Sequence, residues 1–206
     1  MLPTAFLLAL IEKALRDTTF NFRSNTQVTA MTIESEQLLD TPRFRVVRKT
    51  WTSRDGSRRS RAVVKHPGAV TILPMVDDER VCLIRNYRVA VERTLLELPA
   101  GTRSPGEEPA VAAHRELIEE TGFRAGSLRP LHAFYMSPGI LDERMFLFLA
   151  EDLTAGPAAL EPDEDIETLI VPWQEALEKV DAGEIEDAKT LVALLYYDRL
   201  RRGKRG

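Results

Sequence analysis

The run Gly101–Phe123, GTRSPGEEPAVAAHRELIEETGF, is the stretch from which the rest of the chain is read. It opens as a loop with two glycines and two prolines. Pro109 suits the first turn of a helix, and Gly122 suits the residue just past its end. Between them AVAAHRELIEET is rich in strong helix formers. At about 100° per residue, Ala110, Val111, Ala113, Leu117 and Ile118 fall on one side, which predicts the core face. Glu116, Glu119 and Glu120 fall together on the other, because residues three and four apart are neighbours on a helix.

Three carboxylates gathered this way repel one another, and a hard divalent cation is one cause for keeping them. Mg²⁺ takes oxygen ligands and commonly combines carboxylates with waters and substrate phosphates. A solvated acidic helix face is the alternative. The order Gly101, five residues, Glu107, seven residues, Arg115-Glu116, Leu117, any residue, Glu119-Glu120, any residue, Gly122 and an apolar residue resembles the signature of the Nudix hydrolases at every specified position. The resemblance implies a loop–helix–loop site for Mg²⁺ or Mn²⁺ that hydrolyses a nucleoside diphosphate linked to another group. It implies Glu116 and Glu120 as metal ligands, Glu119 as a ligand or a partner behind the ligands, and Glu107 with Arg115 as an ion pair bracing the loop. Gly101 and Gly122 are the structural glycines of the motif.

Composition sets the outer bounds. With 206 residues, one principal domain with an appended piece is the expectation. A hydrophobic share of 44% and a charged share of 29% suit a soluble globular chain. The net charge of -4 offers no basic footprint for nucleic acid, so an anionic substrate must be met by local arginines and metal. The single cysteine, Cys82, excludes an internal disulfide and sits in the apolar run VCLI, which reads as a buried thiol and suits a reducing cytoplasm. No run reaches the ~18 apolar residues of a membrane-spanning helix.

In chain order, 1–17 reads as a short amphipathic helix within an N-terminal extension over 1–39, and Met31 is an equally good start of the functional chain. A β-rich segment follows at 40–66, with RFRVVRKTWTSR and SRRSRAVVKH flanking the hairpin signal Asp55-Gly56. Arg54, Arg58, Arg59, Arg61 and Lys65 form either a phosphate-facing patch or a hairpin's solvated face. Trp51 either stacks on a nucleobase or fills a core. The hydrolase domain is expected over 67–202. AVTILPMV and RVCLIRNYRV read as strands around the turn at 77–79, and LRPLHAFYMSPG and RMFLFLAEDL as two more. Two helices close the chain, PWQEALEKVDAG and EIEDAKTLVALLYYDRLRR, the second with a stripe of Leu191, Leu194, Leu195 and Tyr196 facing the core. His66, His114 and His132 lack ligand spacing.

LLELPAG, just before the signature, resembles the ADP-ribose pyrophosphatase branch of the family. Pro138, fifteen residues past Phe123, matches the spacing of that branch's marker. Matched residue by residue, the branch implies the Ala100 carbonyl as a metal ligand, Glu97 lining the site and Arg88 on the pyrophosphate, where a planar fork grips phosphate oxygens in pairs. It implies a general base from the acidic loop GPAALEPDED, with Glu164 the candidate and Glu161 the alternate. The implied fold is an α/β/α sandwich with a mixed sheet. The implied assembly is a homodimer in which the β-rich segment is exchanged. The implied substrate is ADP-ribose or a similar nucleoside diphosphate sugar. A GDP-mannose or other sugar-nucleotide pyrophosphatase and a non-catalytic ADP-ribose-sensing module are the other readings.

Overall fold

Val70 and Ile72 face one apolar cluster while Leu73, on the same strand, belongs to another. This strand, β4 (Ala69–Pro74), is buried at every position, as a continuous apolar run predicts for a strand covered on both faces. The computed structural model describes residues 32–160 and 165–203, and the chain from Glu34 onward forms one compact unit. The helix expected over 1–17 and the alternative start at Met31 lie outside the described residues.

β4 is central in a four-stranded sheet ordered β7-β4-β9-β8, with β7 Ala100–Thr102, β8 Arg124–Tyr135 and β9 Arg144–Thr154. β4 runs parallel to β9 and antiparallel to β7, and β8 is antiparallel to β9, so the sheet is mixed. β5 (Arg80–Arg88) leaves that sheet and becomes the middle strand of a second, antiparallel one, between β10 (Ile166–Pro172) and β6 (Arg93–Glu97). Across the turn between β4 and β5, Met75 bridges to Val81 and the Val76 N–H donates to the Arg80 carbonyl at 2.9 Å.

Helix α1 (Pro109–Thr121) covers one face of the mixed sheet through Ala112, Ala113 and Leu117, packed on Val70, Ile72, Phe148 and Ala150. Leu117 has no exposed surface, and Leu117→Ala should cost about 2–5 kcal/mol. The opposite face packs with the second sheet and with α2 (Trp173–Asp181) and α3 (Ala188–Gly203) around Leu73, Leu83, Leu147, Leu149, Trp173 and Leu194. The arrangement is the expected α/β/α sandwich. Cys82 lies fully inside on β5, and burial pushes its thiol up to about 12.

Three local expectations are corrected. On α1, Val111 is 59% exposed and Ala110 is exposed, while Ala112 is fully buried. The inward arc is rotated toward Glu116 and Glu120, which lie against the backbone of β7. On α3, Leu195 is 52% exposed and Ala193 takes the inner position. Strand β1 (Ile33–Asp40) pairs into a three-stranded sheet with β2 (Arg45–Thr52) and β3 (Arg58–Lys65), although the sequence reading places most of it in the N-terminal extension. All eight of its residues are exposed, so no apolar alternation marks it.

The β2–β3 hairpin turns at Gly56, φ 80°, with Thr52 opposite Arg58. Arg59 pairs with Asp55 at 3.0 Å, Arg48 with Glu36 at 2.7 Å, and Arg58 with Glu34. These exposed pairs fit a solvated hairpin face, where water screens each of them and the contribution to stability is small.

Candidate active site

The helix that carries the carboxylates has sharply defined ends. Pro109 occupies its first position, where a missing N–H costs nothing. Gly122 caps the other end in the left-handed region, φ 73°, and donates its N–H to the Ile118 carbonyl. A Cβ at 122 would also lie 2.3 Å from the Gly156 carbonyl oxygen. Glycine is thus required twice over, by conformation and by the close approach of the segment after β9.

Arg115 is the hub of the site. Its Nε and Nη2 each donate to Glu107, both at 3.1 Å, and Nη2 also donates to the Thr102 carbonyl at 3.3 Å. Nη1 donates to Glu116 Oε1 at 2.7 Å and to Glu119 Oε2 at 2.9 Å. The hydrogen bond from Arg115, joined by the Ser104 N–H, holds the Glu107 carboxyl below the ordinary range. The same bond to Glu107 pushes the guanidinium upward. Arg103 donates to the Glu107 carbonyl and lies over the Phe146 ring, so the loop before α1 is pinned from both sides.

Glu116 and Glu120 are buried, 7% and 3% exposed. Glu116 lies against Gly101, where a Cβ would meet its carboxyl carbon at 2.0 Å. Glu120 Oε2 accepts the Ala100 N–H at 2.9 Å. Buried carboxylates are costly without cations. Among the described residues no three acidic, imidazole or thiol groups stand in ready metal-binding geometry. Glu116 and Glu119 nevertheless reach one and the same nitrogen of Arg115, so their oxygens converge on a single cationic centre. An all-oxygen donor set of this kind suits a hard divalent ion.

A second polar cluster adjoins the first through the chain 97–100. Glu97 has no exposed surface. Its Oε1 accepts Arg88 Nε at 2.8 Å and its Oε2 accepts Arg88 Nη2 at 2.6 Å. Lys189 Nζ, on α3, donates to the same Oε2. Burial pushes Glu97 up, but Arg88 and Lys189 together hold it below the ordinary carboxylate range. Sequence reasoning passes over Lys189, since one lysine in a helical run carries no signal.

The other expected residues are more dispersed. Trp51 is half-buried on β2, opposite Arg59. Pro138 is exposed between β8 and β9. Glu161 and Glu164 lie outside the described residues. The segment leading to them is anchored at the end of α1, where Ala159 N donates to the Glu119 carbonyl at 3.0 Å. A cleft of about 650 Å³ opens beside the loop after β7, lined by Arg43, Phe44, Arg45, Lys65 and Arg103 among others. Within it Lys65 pairs with Asp142, and burial lowers its ammonium, with Lys49 and Arg45 adding to the shift. Arg43, Phe44 and Arg103 have no sequence signal either, because two segments far apart in sequence bring them together.

An ADP-ribose pyrophosphatase of Bacillus subtilis (strain 168) is 43% identical over 144 residues, covering 69% of this chain and 78% of that protein. A GDP-mannose pyrophosphatase of Enterobacter sp. (strain 638) is 36% identical over 159 residues, covering 69% of this chain and 83% of that protein. The crystal structure of an ADP compounds hydrolase superposes with a TM-score of 0.74 at 27% identity, covering 87% of this chain and 98% of that one. The family model described as NUDIX domain matches residues 65–194, from the end of β3 into α3 and across every carboxylate of the Arg115 hub. The chain belongs to the Nudix family.

Proposed function

We propose that this Nudix pyrophosphohydrolase cleaves the pyrophosphate bond of ADP-ribose or a similar nucleoside diphosphate sugar, releasing a nucleoside monophosphate and a sugar phosphate. The observation that carries the reading is the convergence of Glu116 Oε1 and Glu119 Oε2 on one cationic nitrogen beside the Ala100–Gly101 backbone. Members of the family generally use divalent metal ions. Mg²⁺ or Mn²⁺ is the proposed ion here, with Glu116, Glu120, Glu119 and the Ala100 carbonyl as the residues that would hold it. Once bound, it supplies charge neutralisation for the pyrophosphate and activation of a water.

The chain's own side chains account for the remaining demands. Arg88 keeps Nη1 beyond its two bonds to Glu97, and that edge is the proposed grip on a phosphate oxygen. Glu107, through Arg115, fixes the loop that brings Gly101 under Glu116. The basic cleft with Phe44 at its wall suits an anionic, ring-bearing ligand, and Trp51 is a further stacking candidate. Pro138, in the exposed turn between β8 and β9, is proposed to border the substrate. Glu164, or else Glu161, is the proposed general base that takes the proton of the attacking water. The water oxygen bonds to one phosphorus and the bridging oxygen leaves with the other.

A homodimer with exchange of the β-rich segment, and a cytoplasmic location, complete the reading. The exposed strand β1 supports the first, as a sheet edge with no further strand beside it among the described residues. No helix among the described residues is long and apolar enough to cross a membrane. GDP-mannose is the second reading, favoured by the 36% identity to a GDP-mannose pyrophosphatase.

The experiment is a substrate panel with Mg²⁺, products resolved by chromatography. ADP-ribose should give AMP and ribose phosphate with the highest kcat/KM. A GDP-mannose maximum would select the second reading. Tight ADP-ribose binding without turnover would convert the assignment to a sensor.

A further inference from the structure

The chain between Glu97 and Ala100 is held twice over by elements far away in sequence. Glu97 is gripped from the inside by Lys189 and from the outside by Arg88. The next residue, Leu98, donates its N–H to Thr190 Oγ1 at 2.8 Å, and Thr190 Oγ1 donates to Asp187 Oδ2 at 2.5 Å. Asp187 also accepts the Thr190 N–H at 3.0 Å and pairs with Lys189 at 3.0 Å. Ala100 then donates to Glu120. The first turn of α3 therefore fixes the strand end from which both Arg88 and the carboxylate helix are referenced.

Exposure is concentrated at one end of the relay. The Lys189 side chain is 7% exposed, Glu97 1% and Arg88 39%. Only the arginine meets solvent. A buried carboxylate left with one cation binds that cation fully, since its desolvation must be offset by whatever charge remains. With Lys189 present, Oε2 is shared and the negative charge of Glu97 is met from the inner side. The arginine is then held by geometry, through a two-point fork, without carrying the whole neutralisation of Glu97.

We propose that Lys189 is a positioning residue: by holding Glu97 from the core side, it keeps the Arg88 fork turned outward with charge available for the substrate pyrophosphate. The inference rests on the reading of Arg88 as the phosphate-binding arginine. It assigns to α3, the C-terminal helix, a part in substrate binding that involves no contact with substrate.

The test uses the full chain and five proteins: unsubstituted, Lys189→Met, Lys189→Arg, Arg88→Ala and the Lys189→Met/Arg88→Ala double variant. Lys189→Met keeps the aliphatic stem and removes the charge. KM for ADP-ribose should rise about tenfold, the size of one charge-assisted hydrogen bond, with kcat less affected and the half-saturating Mg²⁺ concentration unchanged. Lys189→Arg should restore most of the loss. In the Arg88→Ala background, Lys189→Met should add nothing further to KM, because the two act through one group.

An equal effect in both backgrounds would overturn the proposal, as would a fall in Tm with KM unchanged. Should Lys189→Met fail to fold, Lys189→Gln, which retains a donor to Glu97, carries the same comparison. Calorimetric binding of inorganic pyrophosphate to the same proteins separates the relay from the substrate assignment. If ADP-ribose is not hydrolysed but pyrophosphate binding shows the coupling, only the substrate reading fails. If ADP-ribose is hydrolysed and Arg88→Ala leaves both KM and pyrophosphate binding intact, the relay fails and the hydrolase stands.

Discussion

Gly101 and Glu116 occupy space that a glycine alone leaves open: a Cβ at 101 would sit 2.0–2.2 Å from the three carboxyl atoms of Glu116. Glu116 is the end of a side chain, yet it is not free to give way, because Arg115 holds its Oε1 at 2.7 Å and the residue is only 7% exposed. Gly101→Ala should therefore displace the carboxylate while leaving the fold intact. A shift of about 1 Å at a reacting centre costs on the order of 10² in rate. Circular dichroism should match the unsubstituted protein while kcat falls by about that factor; an unchanged kcat would show that Glu116 is not needed where it lies.

Glu116→Gln and Glu120→Gln remove charge while conserving shape. In Glu120→Gln the new side-chain amide would still offer a carbonyl to the Ala100 N–H, so the backbone contact survives and only the charge is lost. Each variant should lose about two orders of magnitude or more in kcat, as expected when stabilisation of developing charge is removed. The loss should be deepest at limiting Mg²⁺. Equal losses at limiting and saturating Mg²⁺ would argue that these carboxylates do not bind the ion.

Glu107 gives the site an acid sensitivity of definite sign. Arg115 lowers its carboxyl in the folded state, so the stabilisation is fully present above the ordinary glutamate value of 4.5. It is lost as pH falls through the lower folded value. In Glu107→Gln this dependence disappears. The Tm difference between the unsubstituted protein and the variant should be largest near neutrality and shrink below about pH 4.5. A gap that stays constant down to strongly acid pH would show that the ion pair does not contribute to stability.

Glu164→Gln is the test of the acidic loop. General-base loss costs about 10²–10⁴ in kcat, whereas loss of a solvated loop charge costs almost nothing. KM and the Mg²⁺ dependence should change little. Glu161→Gln is the matched control, sharing the loop but not the proposed role. If Glu161→Gln is the damaging change, the base belongs at 161. If neither variant slows turnover, the loop is excluded and Glu119 becomes the residue to substitute.

Local features of this protein are legible in its sequence alone. Pro109 and Gly122 mark the ends of α1 because cap chemistry depends on a few neighbouring residues. Asp55-Gly56 marks the β2–β3 hairpin for the same reason, and the apolar run of β4 announces a strand buried on both faces. Helix periodicity groups Glu116, Glu119 and Glu120. The Nudix resemblance implies the Glu107–Arg115 ion pair, which the structure contains. That Arg115 also holds Glu116 and Glu119 is seen only in the fold. Tertiary structure alone decided what depends on a distant partner. β1 is recognisable only through pairing with β2, because all its side chains face solvent. Leu195 and Val111 are exposed because the packed arcs of their helices take in Lys189 against Glu97 and Glu116 against Gly101 as well as apolar residues. Lys189 reads as an ordinary helical lysine until the fold carries it across 92 residues to a buried carboxylate. Burial of charge is a property of the partner found there, and one segment of sequence does not contain its partner.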